Sequence, residues 1–252
     1  MKLTAISLIA TAAVASAQSG SPLNPALPPT CETTLLQQLS GGDFISSCGL
    51  QNLITAVIAA GGSRTPTTEA QSYALASKLI NQADLDLMCS DKCNSAITTF
   101  GSTVTAACGT TPLLNPTSVA DGASSFKNLQ AGDLPAIITY ARKGFCVKDN
   151  NTYCAIALLA AVQAKDSKQM CTPCAAKEYD ALKDTSSLPT YAKATVDPTL
   201  ADAQKTLASC PAGSLGVGVA ATGGSTTPSS GSHLAGSAAV GIAAGVASFI
   251  LA

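Results

Sequence analysis

Ten cysteines constrain this chain more than any other feature. They stand at Cys31, Cys48, Cys89, Cys93, Cys108, Cys146, Cys154, Cys171, Cys174 and Cys210. An even count in a secreted chain reads as a disulfide framework, here of up to five bridges. The first five end at Cys108 and the last five begin at Cys146, so each half holds an odd number. Complete pairing then demands at least one bridge between the halves, which ties residues 31–210 into one body. A weak echo between Met88-Cys89 with Cys93 and Met170-Cys171 with Cys174 suggests two similar halves. Cys171-Thr172-Pro173-Cys174 has the spacing of a redox pair. Such pairs sit at strand-to-helix junctions, and no strand pattern precedes this one, so structural bridges are expected instead. A four-cysteine zinc site does not suit an extracellular chain, and no metal is expected.

The secreted context comes from the two ends. Met1 to Ala17 places Lys2 before an apolar stretch and closes on Ala15-Ser16-Ala17, the layout of a cleaved signal peptide. At the other end, small polar residues and a short spacer lead into an apolar run from Ala238 to Ala252. Those 15 residues fall short of the roughly 20 that a helix needs to cross a bilayer core. Only Ile242, Phe249, Ile250 and Leu251 are large, and the last cation is Lys205. The pattern fits a signal for a glycosylphosphatidylinositol (GPI) anchor, in which the tail is removed and a glycolipid replaces it. Ser230 or Ser229 would carry the anchor, with Gly224 as an outside choice. The rivals are a membrane helix that is retained and a soluble tail. Expected segments are thus a signal peptide over 1–17, a proline-rich arm over 18–30, a cysteine-rich domain over 31–210, a stalk over 211–230 and a propeptide over 231–252.

Composition removes several kinds of chemistry. About 210 residues remain after both cuts, enough for one large or two small domains. They carry 13 Lys and Arg against 15 Asp and Glu, so no basic surface for nucleic acid is expected. There is no tryptophan for a stacked sugar-binding platform. The one histidine, His233, lies in the segment expected to be discarded. Its loss excludes histidine-dependent triads and histidine metal sites but leaves paired carboxylates.

Taken in order, the chain reads as all-α, a disulfide-tied helical head on a flexible tether. Cys31 to Leu39 is a short helix stopped by Gly41-Gly42. Phe44 to Ala60 is a longer one, with Phe44, Cys48, Leu53, Val57 and Ala60 at helical steps. Another begins at Pro66. Asp84 to Cys108 reads as one helix with a stripe at Cys89, Cys93, Ile97, Phe100, Val104 and Cys108. On that stripe Cys89 and Cys93 point to other segments and not to each other, and Gly101 weakens the middle by about 1 kcal/mol. Helices around Val119–Asn128 and Leu134–Arg142 follow. Cys146 to Cys154 is a polar loop holding Asn150-Asn151-Thr152, the one usable N-glycosylation sequon, because proline follows Asn115. Ala155–Lys165 and Cys171–Lys183 are helical, the latter with Ala175, Tyr179 and Leu182 on one face. Asp197-Pro198 is a cap and a first turn, leading to a stripe of Leu200, Ala203, Leu207 and Cys210. Beyond it the Gly/Ser/Thr-rich stretch is a coil spanning on the order of 25 Å.

The paired end signals, the lead-in TCETTLLQQL, the CSDKC and CTPC segments and the GGSTTPSSGS stretch resemble a known class. These are cysteine-rich, GPI-anchored surface proteins of filamentous fungi, whose domain has no assigned activity. The resemblance covers the whole layout and implies residence at the plasma membrane or in the cell wall. It supplies no catalytic residue. LDLMCSDKC followed by a helix to Cys108 also resembles elicitins, all-α disulfide proteins of oomycetes that bind sterols. This chain departs from them in having ten cysteines where they have six, at different spacings. The compact spacing of the fungal haem-capturing surface domain is absent.

Three functions are weighed. The first is a non-enzymatic surface protein with a structural or adhesive role, with cell-wall polysaccharide as a partner. The second is an extracellular binder of a lipid or sterol in an apolar cavity between helices. The third is a carboxylate-based enzyme. For that reading Asp84 and Asp86 are the nearest pair, but they diverge at this spacing on a helix and serve better as charges near a helix start. Asp43, Asp91 and Glu178 are isolated and expected at the surface. No catalytic residue and no cofactor is expected.

Overall fold

The computed structural model describes residues 23–51, 81–115, 127–163 and 171–215. The helix expected from Pro66, most of those over 44–60 and 119–128, both end segments, and the tether beyond Leu215 lie outside these residues. The described chain is mostly helical. Its helices are α1 (Pro29–Gly41), α2 (Asp43–Ser47), α3 (Gln82–Met88), α4 (Asp91–Cys108), α5 (Leu134–Phe145), α6 (Cys154–Gln163), α7 (Pro173–Leu182) and α8 (Thr190–Ala208).

The longest buried stripe organises the first half. On α4, Cys93, Ala96, Ile97, Phe100, Gly101, Val104 and Cys108 are buried, which is the expected helical face. Two bridges staple α1 and α2 onto it. Cys31, in the first turn of α1, joins Cys108 at the end of α4. Cys48, just past α2, joins Cys93 in the first turn of α4. Between them Phe44 stacks on Phe100 with ring centroids 4.6 Å apart. Full burial of such side chains contributes about 1.5–3 kcal/mol each.

Two expected long helices are interrupted. Asp84 to Cys108 is broken at Cys89 and Ser90 into α3 and α4. Each piece has its own cap: the Asn81 side chain accepts from the Asp84 N–H, and the Ser90 hydroxyl accepts from the Cys93 N–H. The Ser90 hydroxyl satisfies an N–H that an unbroken helix would bond to its own carbonyl, and Asn81 caps the start of α3. Likewise α2 stops after Ser47, and Gly49 follows at φ +67°. Glycine takes that left-handed conformation at little cost.

Gly101 has a packing role beside its expected propensity cost. It is buried where α4 crosses α5, and a Cβ there would collide with the Pro135 Cγ. The close approach of the two helices needs the missing side chain.

The second half packs α6, α7 and α8 together. Cys154 joins Cys174, and Cys171 joins Cys210. Leu200, Ala203, Leu207 and Cys210 are buried, as their stripe requires. However, α8 begins at Thr190, and Pro198 lies inside it and not in its first turn. Pro198, Asp197 and Ala194 are all exposed, so water can reach the carbonyl that proline leaves unpaired. Only Cys89–Cys146 crosses between halves, completing five bridges with no free cysteine. The bridges of the first half are nested and those of the second are crossed. Of the suggested internal echo, Cys93 and Cys174 have corresponding partners, each bonding the second cysteine of its half, whereas Cys89 and Cys171 do not.

The polar loop between Cys146 and Cys154 contains a two-stranded antiparallel hairpin of β1 (Lys148–Asp149) and β2 (Thr152–Tyr153). Asn150 and Asn151 make its turn at φ 47° and 66°. Two consecutive positive φ values match the right-handed twist of a tight hairpin, and asparagine tolerates them better than most residues. The arm before α1 is also pinned: Leu23 bridges to Leu114, and the Asn24 N–H donates to the Leu113 carbonyl.

Candidate functional site

The hairpin brings together the densest set of polar side chains that chemistry could use. Asp86, on α3, receives the Tyr153 hydroxyl at 2.8 Å, the Lys148 ammonium at 3.4 Å and the Gln82 amide at 3.3 Å. Lys148 also lies over the Tyr153 ring, 4.1 Å from its centroid. On the far side, Asp149 pairs with Lys177 of α7 at 2.7 Å. The register of the hairpin places Lys148 and Tyr153 directly opposite one another. Both therefore emerge on the same face, toward α3.

The electrostatics of this cluster favour cohesion over proton transfer. The Tyr153 hydrogen bond holds the Asp86 carboxyl below its ordinary range. Burial, and then the same hydrogen bond, pushes the Tyr153 phenol up. Hydrogen bonding to Tyr153 and Asp86 raises the Lys148 ammonium. A general acid or base works best with its pKa near the operating pH. All three groups are moved the other way.

Arg142 closes the α3–α4 break from α5. Its Nε donates to the Met88 carbonyl at 2.8 Å, and one terminal nitrogen donates to the Cys89 and Ser90 carbonyls, each at 3.0 Å. The guanidinium thus covers carbonyls at the end of a helix, where positive charge is favourable. It stands beside Cys89–Cys146, so a covalent and a hydrogen-bonded clamp act on the same turn.

The predicted carboxylates do not converge. Asp84 is buried in the cap of α3, where Asn81 both accepts from its N–H and donates to its carboxylate. Asp86 points to the hairpin. Asp43 and Asp91 are exposed in the first turns of α2 and α4. Glu178 is not at the surface as expected; it is 2 % exposed and sits in the buried face of α7 with Cys174, Ala175 and Leu182. Its spacing from those three residues was the available signal, because positions 174, 178 and 182 fall one helical turn apart. Burial pushes its carboxyl up to about 8, the one described group moved into the neutral range. With almost no exposed surface, it offers no face to a substrate.

Cys171 and Cys174 bond to different partners, so the Cys-x-x-Cys spacing forms no redox pair. Asn150 and Thr152 of the sequon are both exposed. Ser230, Ser229 and Gly224 lie outside the described residues. Among the described residues, no group of three His, Cys, Asp or Glu side chains comes together to hold a metal. No helix there is long and apolar enough to cross a membrane. No family model matches the chain, and neither the curated proteins nor the solved structures give a match.

Proposed function

We propose that the protein is a non-enzymatic surface protein, GPI-anchored on the outer face of the plasma membrane and open to transfer to the cell wall. Its role is structural or adhesive. The observation that carries this reading is the enclosure of a fully bridged helical head between a signal-peptide pattern at 1–17 and an anchor-signal pattern at 231–252. Disulfides of this density belong to oxidising compartments. The clustered polar groups support the same reading, since Asp86, Tyr153, Lys148 and Arg142 fasten segments to one another.

Treating intact cells with a phospholipase specific for inositol lipids tests the anchor. The expected result is release of a protein whose C-terminal peptide ends near Ser230 with an ethanolamine-glycan remnant. Recovery of a peptide reaching Ala252 would overturn it. Retention of the released head by cell-wall polysaccharide, compared with a reduced and alkylated control, then tests the adhesive role.

A further inference from the structure

We infer that Asn150, at the tip of the β1–β2 hairpin, carries an N-linked glycan; the inference rests on the secretory route proposed above. The sequon Asn150-Asn151-Thr152 lies wholly in that turn and its first strand residue, and all three residues are exposed. The hairpin is held by its ladder and by side chains on its flanks, Lys148 and Tyr153 to Asp86 and Asp149 to Lys177. Among the described residues, none of those bonds uses the Asn150 side chain. Asn24 and Asn81, in contrast, use their amide nitrogens in the fold, donating to the Pro112 carbonyl and the Asp84 carboxylate. The amide nitrogen of exposed Asn150 stands clear of the hairpin's bonds and can be substituted without breaking any of them.

The step is a glycosyl transfer from a polyprenyl-pyrophosphate-linked oligosaccharide. A bond forms between the Asn150 Nδ2 and the anomeric carbon of the sugar. The bond from that carbon to the pyrophosphate oxygen breaks, the pyrophosphate leaves with the electron pair, and the amide gives up one proton. No oxidant or reductant is needed. The finished glycan then projects from the turn, on the loop between Cys146 and Cys154.

The full chain, expressed through a eukaryotic secretory pathway, provides the test. The expected product starts at Gln18, shifts in mass on treatment with a glycan-releasing amidase, and carries aspartate at position 150 after release. Asn150→Gln and Thr152→Ala each abolish the shift, and Thr152→Ser retains it. Thr152→Ala leaves the turn residues intact, and five intact bridges by non-reducing mass analysis certify its fold. A secreted protein starting at Gln18 with unmodified Asn150 overturns the glycan and leaves the secretory reading standing. A protein that keeps residues 1–17 and stays in the cytosol overturns both.

Discussion

Cys89 and Cys146 form the one disulfide that joins the first five cysteines to the last five, and Arg142 grips the backbone on either side of Cys89. The same turn is thus held twice, once by a bond that spans 57 residues of sequence and once by charge-assisted hydrogen bonds. Removing the bridge by Cys89→Ser with Cys146→Ser is expected to cost about 2–4 kcal/mol. Arg142→Ala is expected to cost about 1.5–3 kcal/mol, because hydrogen bonds from a charged donor are lost. The two changes are expected not to add, since each loosens the turn that the other needs ordered. Denaturant midpoints of the single, paired and combined variants check this; simple additivity would show that the clamps act independently.

Gly101 should be intolerant of a change that helix propensity favours. Alanine is better than glycine in a helix by about 1 kcal/mol. Here a Cβ would collide with Pro135, and overpacking of this kind costs about 1–3 kcal/mol. Gly101→Ala is therefore expected to lower the melting temperature. Gly41→Ala is the control: nothing lies within 4 Å of its added carbon, so it should be neutral or stabilising by up to about 1 kcal/mol. If both variants melt alike, the close crossing of α4 and α5 is not a constraint.

The role of Gly101 shows where the sequence was readable and where it was not. The stripe from Cys93 to Cys108 was legible because a helix repeats a local geometry, and local geometry is written at fixed spacing. The need for one bridge between halves followed from counting alone. Pro135 lies 34 positions from Gly101, and nothing near either residue announces the other. The break at Ser90 was hidden because the apolar stripe kept its phase through the interruption. Glu178 departs from the rule that a charged residue type is solvated, because its helical neighbours point inward and carry it with them. Asp86 was seen as one of a carboxylate pair. Its real partners, Tyr153 and Lys148, come from a hairpin that a short polar stretch with no alternating apolar pattern concealed.

Mild reduction is expected to open the bridges in a set order. A thiolate must reach a sulfur to attack it. Cys89, Cys146 and Cys171 are partly exposed, whereas Cys31, Cys48, Cys93 and Cys108 are at most 1 % exposed. Cys89–Cys146 and Cys171–Cys210 should therefore be reduced first, with the nested pair around α4 surviving longest. Stepwise reduction, alkylation and peptide mapping follow the order. Early loss of Cys31–Cys108 would mean that the first half opens more readily than its burial implies.

Glu178 should give the head a stability that declines as pH rises. Its carboxyl ionises near 4.5 in the unfolded chain and at about 8 in the folded one, because burial penalises the charge. Below the lower value both states hold the proton and the group contributes no pH dependence. Between the two values the folded state holds more protons than the unfolded state, so stability falls with rising pH, by at most about 1.4 kcal/mol per pH unit. Above the upper value the slope vanishes. The hydrogen-bonded acids Asp86 and Asp184 are shifted downward, so they titrate below this window and with the opposite sign. The chain has no histidine before His233, so none titrates within residues 31–210. Urea midpoints from about pH 5 to about pH 8 should therefore drift downward in the wild type and stay flatter in Glu178→Gln, which keeps the shape without the ionisation. Parallel curves for the two proteins would show that the Glu178 carboxylate has a charge-stabilising environment in the folded head.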